Sequence, residues 1–530
     1  MHADYVIVGG GTAGCVLAQR LSADPSLQVV LVEAGDADTS PWIRMPAGVA
    51  KLYPHPRLNW RYWTEPEPAL NGRRLYWPRG KALGGTSAIN GMTFVRGNPA
   101  DFNDWARVAG EAWSWDAVLP YFRRLEATML GDPALRGREG PVAVDAIAAP
   151  HPLSQAFLAA AAATGIVVRD DYNGALQEGI GVTQATVRDG VRVTAANAYL
   201  AAARARPNLR VVTRARATRI VFDGTRAVGV DIVRDGGAHE RVDARREVLV
   251  CAGTVASPEL LLRSGVGDAQ ALAALGIPVI ADRPAVGSGL QEHVRVQLVQ
   301  RTRVPSQNRD ARGWRLVREA LRYALGRRGL LAGTASQVNG FVRSSPGLNR
   351  PDLQLVFRPS SGDYRDGRYV VHAYEGVMAM ASLLHPASRG RIALRSADPL
   401  APPAIMPGHL TAPEDREALL RGVHRLRRIF AAPPLAALVA EEVKPGPDCN
   451  DDDALRRFIT ATADSAYHAV GTCAMGSDPQ AVVTPDLRVR GVTGVRVIDA
   501  SVMPAPPTGN TVAAVYMIAE RAADLIRAGA

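Results

Sequence analysis

A chain of 530 residues is too long for one compact core and calls for two or more domains. Hydrophobic residues make up 47% and charged residues 21%, ordinary proportions for a soluble globular enzyme. The formal net charge of +11 invites a nucleic-acid reading, but the only lysines are Lys51, Lys81 and Lys444, and the arginines are scattered with isolated pairs at 123–124, 245–246 and 327–328. Without a basic tail or interleaved aromatics, no nucleic-acid partner is expected.

The chain opens on a short apolar run, Ala3 to Val8, that predicts a buried strand. Gly9-Gly10-Gly11-Thr12-Ala13-Gly14 follows, then a small-residue helix through Cys15, Leu17 and Leu21, and a second strand over 29–32 that ends on Glu33. Strand, glycine turn, helix, strand and acid form the context in which G-x-G-x-x-G binds a dinucleotide. Gly9 makes the tight turn, Gly11 admits a pyrophosphate, and Gly14 lets helix and strand pack closely. The helix N-terminus offers free N–H groups to the phosphates. Glu33 sits where a carboxylate accepts from ribose hydroxyls, which disfavours a 2′-phosphate and hence NADP. The motif leaves FAD and NAD open.

The N-terminus enters its strand with no charged or apolar leader, so no signal peptide is expected, and no apolar run is long enough to span a membrane. Cys15, Cys251, Cys449 and Cys473 lack C-x-x-C spacing and suit reduced thiols in a cytoplasmic protein. No His/Cys/Asp grouping has metal-ligand spacing, so no metal is expected.

From Pro41 to Pro78 runs a loop tract rich in proline and aromatics, with Trp60, Tyr62, Trp63, Tyr76 and Trp77; it is ordered only if it packs on a flat cofactor or a domain surface. A second glycine-rich stretch, Arg79 to Met92, places Gly80, Gly84 and Gly85 for close backbone approach and Thr86, Ser87 and Asn90 as polar tips. A helix is predicted over 101–126. Composition shifts near residue 150, and a helix is predicted over 152–164. An alanine-rich helix spans 194–206, three short strands lie between 209 and 233, and a buried strand over 247–253 leads into a helix opened by Ser257-Pro258. From Gln291 to about 440 the strands alternate apolar and polar residues, with a basic helical stretch over 301–328 and a helix over 414–430. The chain closes on a loop holding His468 among small residues, a strand over 495–501, a Pro/Gly turn to Asn510 and a helix over 511–528.

On these residues the chain resembles the glucose–methanol–choline (GMC) oxidoreductases along its whole length. The N-terminal fingerprint, Gly80 to Asn103, Gly253 to Gly267, and Tyr467–Gly476 followed by the Gly509-Asn510 helix carry the likeness. It implies an α/β plus α+β architecture: a discontinuous Rossmann-like FAD-binding domain and a substrate domain on a six-stranded antiparallel sheet. The boundaries follow as 1–150, 191–290 and 463–530 for the FAD-binding domain and 151–190 and 291–462 for the substrate domain. The implied activity is oxidation of a primary or secondary alcohol by hydride transfer to flavin N5.

His468 matches the family's active-site histidine, and Asn510 the second position of its catalytic pair. The chemistry agrees: a neutral imidazole takes the carbinol proton, and Asn510 donates to the developing alkoxide. The candidate cofactor contacts are Gly9, Gly11, Thr12, Ala13, Gly14, Glu33, Ala34, Arg79, Gly84, Gly85, Ser87, Asn90, Gly91, Met92, Ala217, Ala252, Gly253, Tyr467, Asp499, Ala500, Asn510, Thr511 and Val512. Some members link FAD through a histidine in the Gly84–Asn90 loop; Ile89 here implies non-covalent FAD. His293, His372 and His385 read as structural. Aryl, furanic or medium aliphatic alcohols are the expected substrates because the candidate lining reads as apolar, and oxygen or a quinone-type acceptor takes the electrons. Two alternatives stay open: an NAD-dependent dehydrogenase, and a GMC-like hydroxynitrile lyase with structural FAD.

Overall fold

In the computed structural model, which describes residues 1–365 and 367–529, two sheets dominate. The first runs in the order Leu209–Val212, Val29–Val32, His2–Val8, His239–Val250, Arg226–Arg234 and Ala215–Asp223, with Val495–Val497 also paired to His239–Val250. Its pairings are parallel around His2–Val8 and between His239–Val250 and Val495–Val497, and antiparallel from His239–Val250 through Arg226–Arg234 to Ala215–Asp223. The central strands read as near-continuous apolar runs because both faces are covered. On one face the helix Thr12–Leu21 packs against the C-terminal helix Val512–Arg527, which also meets the helix Trp115–Leu125.

The second sheet follows the order Val439–Lys444, Val294–Thr302, Gly376–Leu383, Leu353–Arg358, Val338–Val342 and Gly179–Val182, antiparallel throughout, with Asp464–Ser465 added beside Val294–Thr302. Strand periodicity divides its faces. Leu353, Leu355, Phe357, Ala379 and Ala381 join the core beneath the helices Pro152–Ala163 and Pro413–Ala431. Their neighbours Gln354, Val356, Arg358, Met380 and Ser382 turn the other way, toward the interior cavity. Strands of the first sheet thus come from residues 2–32, 209–250 and 495–497, and those of the second from 179–182, 294–383 and 439–465.

Three predicted helical stretches differ in detail. The span expected over 101–126 is two helices, Pro99–Ala109 and Trp115–Leu125, because Gly110 takes a φ of 89° that a helix cannot hold. The alanine-rich stretch over 194–206 is a widened turn, Ala196–Leu200, running into Ala201–Ala203. The basic stretch over 301–328 starts as the end of a strand and becomes the helices Gln307–Asp310 and Gly313–Gly326.

The first helix lies so close to the first strand that a Cβ at Gly14 would sit 1.9 Å from the carbonyl oxygen of Gly9. We expect Gly14→Ala to force the two apart and to destabilise the fold by about 1–3 kcal/mol, as overpacking does. Differential scanning calorimetry should show a lower thermal midpoint; an unchanged one would mean that this contact constrains nothing.

Candidate active site

The two glycine-rich stretches meet backbone to backbone. Gly84 N–H donates to Gly10 O at 2.7 Å, and a Cβ at Gly85 would lie 2.6 Å from Gly11 Cα. Gly9, at φ 103°, passes so near the strand end that its Cβ would meet Cys251 O at 2.5 Å. Between these contacts a long cavity begins at Gly9, Gly11, Thr12 and Ala13, where the helix N-terminus carries no side-chain cap. Gly14 and Gly84 stand behind the wall and shape it.

Glu33 lines the cavity, buried, with one carboxylate oxygen accepting from Gly10 N–H (2.8 Å) and the other from Gly35 N–H (2.7 Å). Burial lifts its carboxyl to about 7. Each oxygen keeps a lone pair for a further donor. Ala34, Arg79, Gly85, Ser87, Asn90, Gly91, Met92, Ala217, Ala252, Gly253, Tyr467, Asp499, Ala500, Asn510, Thr511 and Val512 all line the same cavity. Asp499 fixes its floor: Oδ2 accepts from Gly253 N–H (2.8 Å) and from the Ser257 hydroxyl (2.6 Å). From the aromatic tract, Tyr53, Trp60 and Tyr62 join the wall, with Trp60 and Tyr62 stacked at 5.8 Å.

His468 and Asn510 occupy the far end. Gln354 Nε2 donates to Asn510 Oδ1 (3.1 Å), so Asn510 Nδ2 is the group that donates to His468 Nε2 (2.8 Å). The ring proton of His468 then resides on Nδ1, 3.0 Å from His293 Nδ1, which accepts it. The backbone of His468 is held as well, its N–H donating to the buried Glu292 carboxylate at 2.6 Å. The turn before Asn510 is pinned by Asp101, which accepts from the Thr508 N–H (2.6 Å) and hydroxyl (2.8 Å). Burial, reinforced by Arg295 and Arg79, pushes the His468 imidazole down to about 3. The ring is therefore neutral at every ordinary pH. Tyr467 holds a φ of 69°, rare for an aromatic residue and a mark of a functional site.

Two expectations need correction. His293, read as structural, touches the candidate base; its signal lay in Glu292-His293 directly after a glycine turn. His372 and His385 stand apart from the cavity lining, against Ser361 and Asp363 and against Thr508 respectively. The chamber beside His468 is also less apolar than expected. Val356 and Met380 are there, but so are Arg295, Arg358, Ser336 and Ser382. Arg295 lies over the Tyr467 ring at 5.1 Å, and Arg358 Nε donates to Ser336 Oγ at 3.2 Å.

The cavity fits the FAD expected from the sequence. At Gly91 and Gly253 a Cβ would meet no protein atom within 4 Å and would enter the cavity itself. The uncapped first turns of Thr12–Leu21 and Val512–Arg527 both open onto it, supplying N–H donors for phosphate and ring oxygens. Among the described residues there is no cluster of three or more His, Cys, Asp or Glu arranged to hold a metal, and no helix long and apolar enough to cross a membrane.

Profiles of the GMC oxidoreductases match residues 3–295 and 386–519. The chain is 42% identical to "alcohol dehydrogenase [acceptor]" of Pseudomonas putida over 99% of its own length and 95% of that protein. It is 41% identical to an oxygen-dependent choline dehydrogenase of Rhizobium rhizogenes, covering 99% and 96%. Among solved structures, pyridoxine 4-oxidase from Mesorbium loti superposes with a TM-score of 0.90 at 31% identity, over 99% of both chains. With both sheets, both glycine turns and the His/Asn pair in place, the chain belongs to the GMC oxidoreductase family.

Proposed function

We propose that this enzyme oxidises a primary or secondary alcohol to its carbonyl in an FAD-dependent reaction, with His468 as the general base. One observation carries the reading: the unprotonated Nε2 of His468 and the Nδ2–H of Asn510 meet at 2.8 Å in the wall of the cavity that the dinucleotide turns also line. The relatives named for alcohol and choline oxidation support it.

Gly11, Thr12 and Ala13 would hold the pyrophosphate of FAD, Glu33 its ribose, and Asn90–Met92 with the start of the Val512–Arg527 helix its ring system. When bound, FAD supplies the two-electron acceptor for the carbinol hydride. The rest is the work of this chain. His468 Nε2 takes the hydroxyl proton, Asn510 turns its N–H from Nε2 to the substrate oxygen as negative charge gathers there, and His293 holds the His468 ring in the tautomer that leaves Nε2 unprotonated. Glu292 and Gln354 keep the pair in register. Arg295 covers the Tyr467 face that a quaternary ammonium would need, which favours neutral alcohols over choline-like ones. Electrons pass to oxygen or to a quinone-type acceptor. A cytoplasmic setting suits the buried free thiols of Cys15, Cys251 and Cys473.

The FAD is held without a covalent bond, because Ile89, buried in the loop wall, offers no nucleophile in the loop where some members carry a linking histidine. Acid or heat denaturation should release all the flavin into the supernatant. Flavin that stays with the precipitated chain would overturn the non-covalent claim.

His468→Ala should slow alcohol-dependent flavin reduction by ~10²–10⁴-fold, the usual weight of a general base. Asn510→Ala should cost less, at most ~10²–10³-fold, since it offers one donor that water can replace in part. Anaerobic stopped-flow reduction, with FAD content checked first, decides the roles. Near wild-type reduction in His468→Ala would end the mechanism. Flavin that binds but is bleached by no alcohol would favour the lyase alternative.

The pH dependence has a definite sign. Only the neutral ring accepts a proton, so the rate falls as pH drops through the His468 pKa, and that pKa is displaced to about 3. Reduction by a neutral alcohol should therefore stay flat from neutral pH down to about 5, where an ordinary histidine near 6.5 would already be protonated. An acid limb centred near 6.5 would show the ring to be solvated, or another group to be the base.

A further inference from the structure

We infer that the helix Gly313–Gly326 is a docking element for an anionic membrane surface, lying flat in the headgroup layer beside the cavity. Trp314, Val317, Leu321 and Leu325 are spaced at three and four residues and share one helix face. All four point to solvent, Trp314 67% exposed and Leu325 88%. A folded protein normally buries such a stripe or covers it with a partner.

The rim of the stripe identifies the partner. Residues 309–328 hold seven arginines against two acids, Asp310 and Glu319. Glu319 is turned inward, where it accepts from Arg322 and from Leu330 N–H. Asp310 pairs with Arg315 and Arg318 at 3.7 and 3.3 Å. Those two guanidinium groups stack on Trp314 at 5.4 and 5.6 Å, beside the apolar stripe, and Arg327 and Arg328 close its end. An apolar face with tryptophan at its start and arginines along its edge is the pattern of an interfacial helix on anionic lipid. A second copy of this chain would set one positive rim against another.

The position gives the helix a use. Four residues after it, the chain turns through Leu330–Ala332, and Thr334 donates its hydroxyl to the carbonyl of Gly91, a residue of the cavity wall. Ser336 lines the chamber itself. A membrane bound at this helix would lie next to the chamber, so that apolar alcohols or a lipid-dissolved acceptor could reach it without crossing water.

The test uses the FAD-loaded enzyme and phosphatidylcholine vesicles with and without phosphatidylglycerol, read by flotation. We expect at least about ten-fold tighter binding to the anionic vesicles, weakened by salt. Leu321→Ser/Leu325→Ser should abolish flotation while leaving circular dichroism and turnover of a water-soluble alcohol unchanged, since both side chains are exposed and outside the site. Wild-type protein that stays with the aqueous phase on both vesicles overturns the inference. So does a variant that floats as well as wild type. A solution dimer that this variant splits, without vesicle binding, assigns the stripe to self-association instead.

Discussion

Everything in the site depends on how closely three backbone segments approach one another. Gly9 lies against Cys251, Gly14 against Gly9, and Gly85 against Gly11, each at a separation where a side chain would overlap its neighbour. These contacts bring the two glycine loops, the end of the strand His239–Val250 and the helix N-terminus to one place. They are also why the cavity can run along main chain instead of side chains. A phosphate or a ring edge needs N–H donors at close range, and only backbone with no Cβ in the way can present them in this density.

The second sheet supplies what the first cannot. His468 sits on a loop that leaves Asp464–Ser465 and is held through its own N–H by Glu292, next to a strand of that sheet. Asn510 sits at the start of the last helix on the first sheet, yet its amide is oriented by Gln354 from the second. The pair therefore forms only where the two sheets face each other. The electrostatics follow from the same enclosure. With burial and two nearby guanidinium groups acting in one direction, the imidazole stays neutral without needing a carboxylate to tune it.

What was legible in the sequence was local. A glycine fingerprint between two strands, an acid after the second, and a lone histidine among small residues each announce themselves within a dozen positions. What was not legible depends on sheet register. In Leu353–Arg358 the polar residues alternate with apolar ones, the pattern of any half-exposed strand. Only the pairing of Gln354 with Ser382, and of Ser382 with Arg295, shows that this polar face looks into a chamber rather than into water. His293 was hidden for the same reason. It lies 175 residues from His468, and nothing short of the antiparallel pairing of Val294 with Ser465 brings the rings together.

This division has a consequence for how the chemistry and the choice of substrate are separated in the molecule. The residues proposed to move the proton are held by a buried carboxylate and an amide chain, Glu292 on the His468 N–H and Gln354 on Asn510. The residues proposed to meet the rest of the substrate alternate along two interior strands of the second sheet, where a substitution at 356, 358, 380 or 382 alters the cavity lining. Arg295 belongs to both groups. It lies over the Tyr467 ring and adds to the field that lowers the His468 pKa. A change there would shift substrate charge preference and the acid limit of the base together. Changes between uncharged residues at Val356 or Met380 would alter the shape of the lining and leave both of these in place.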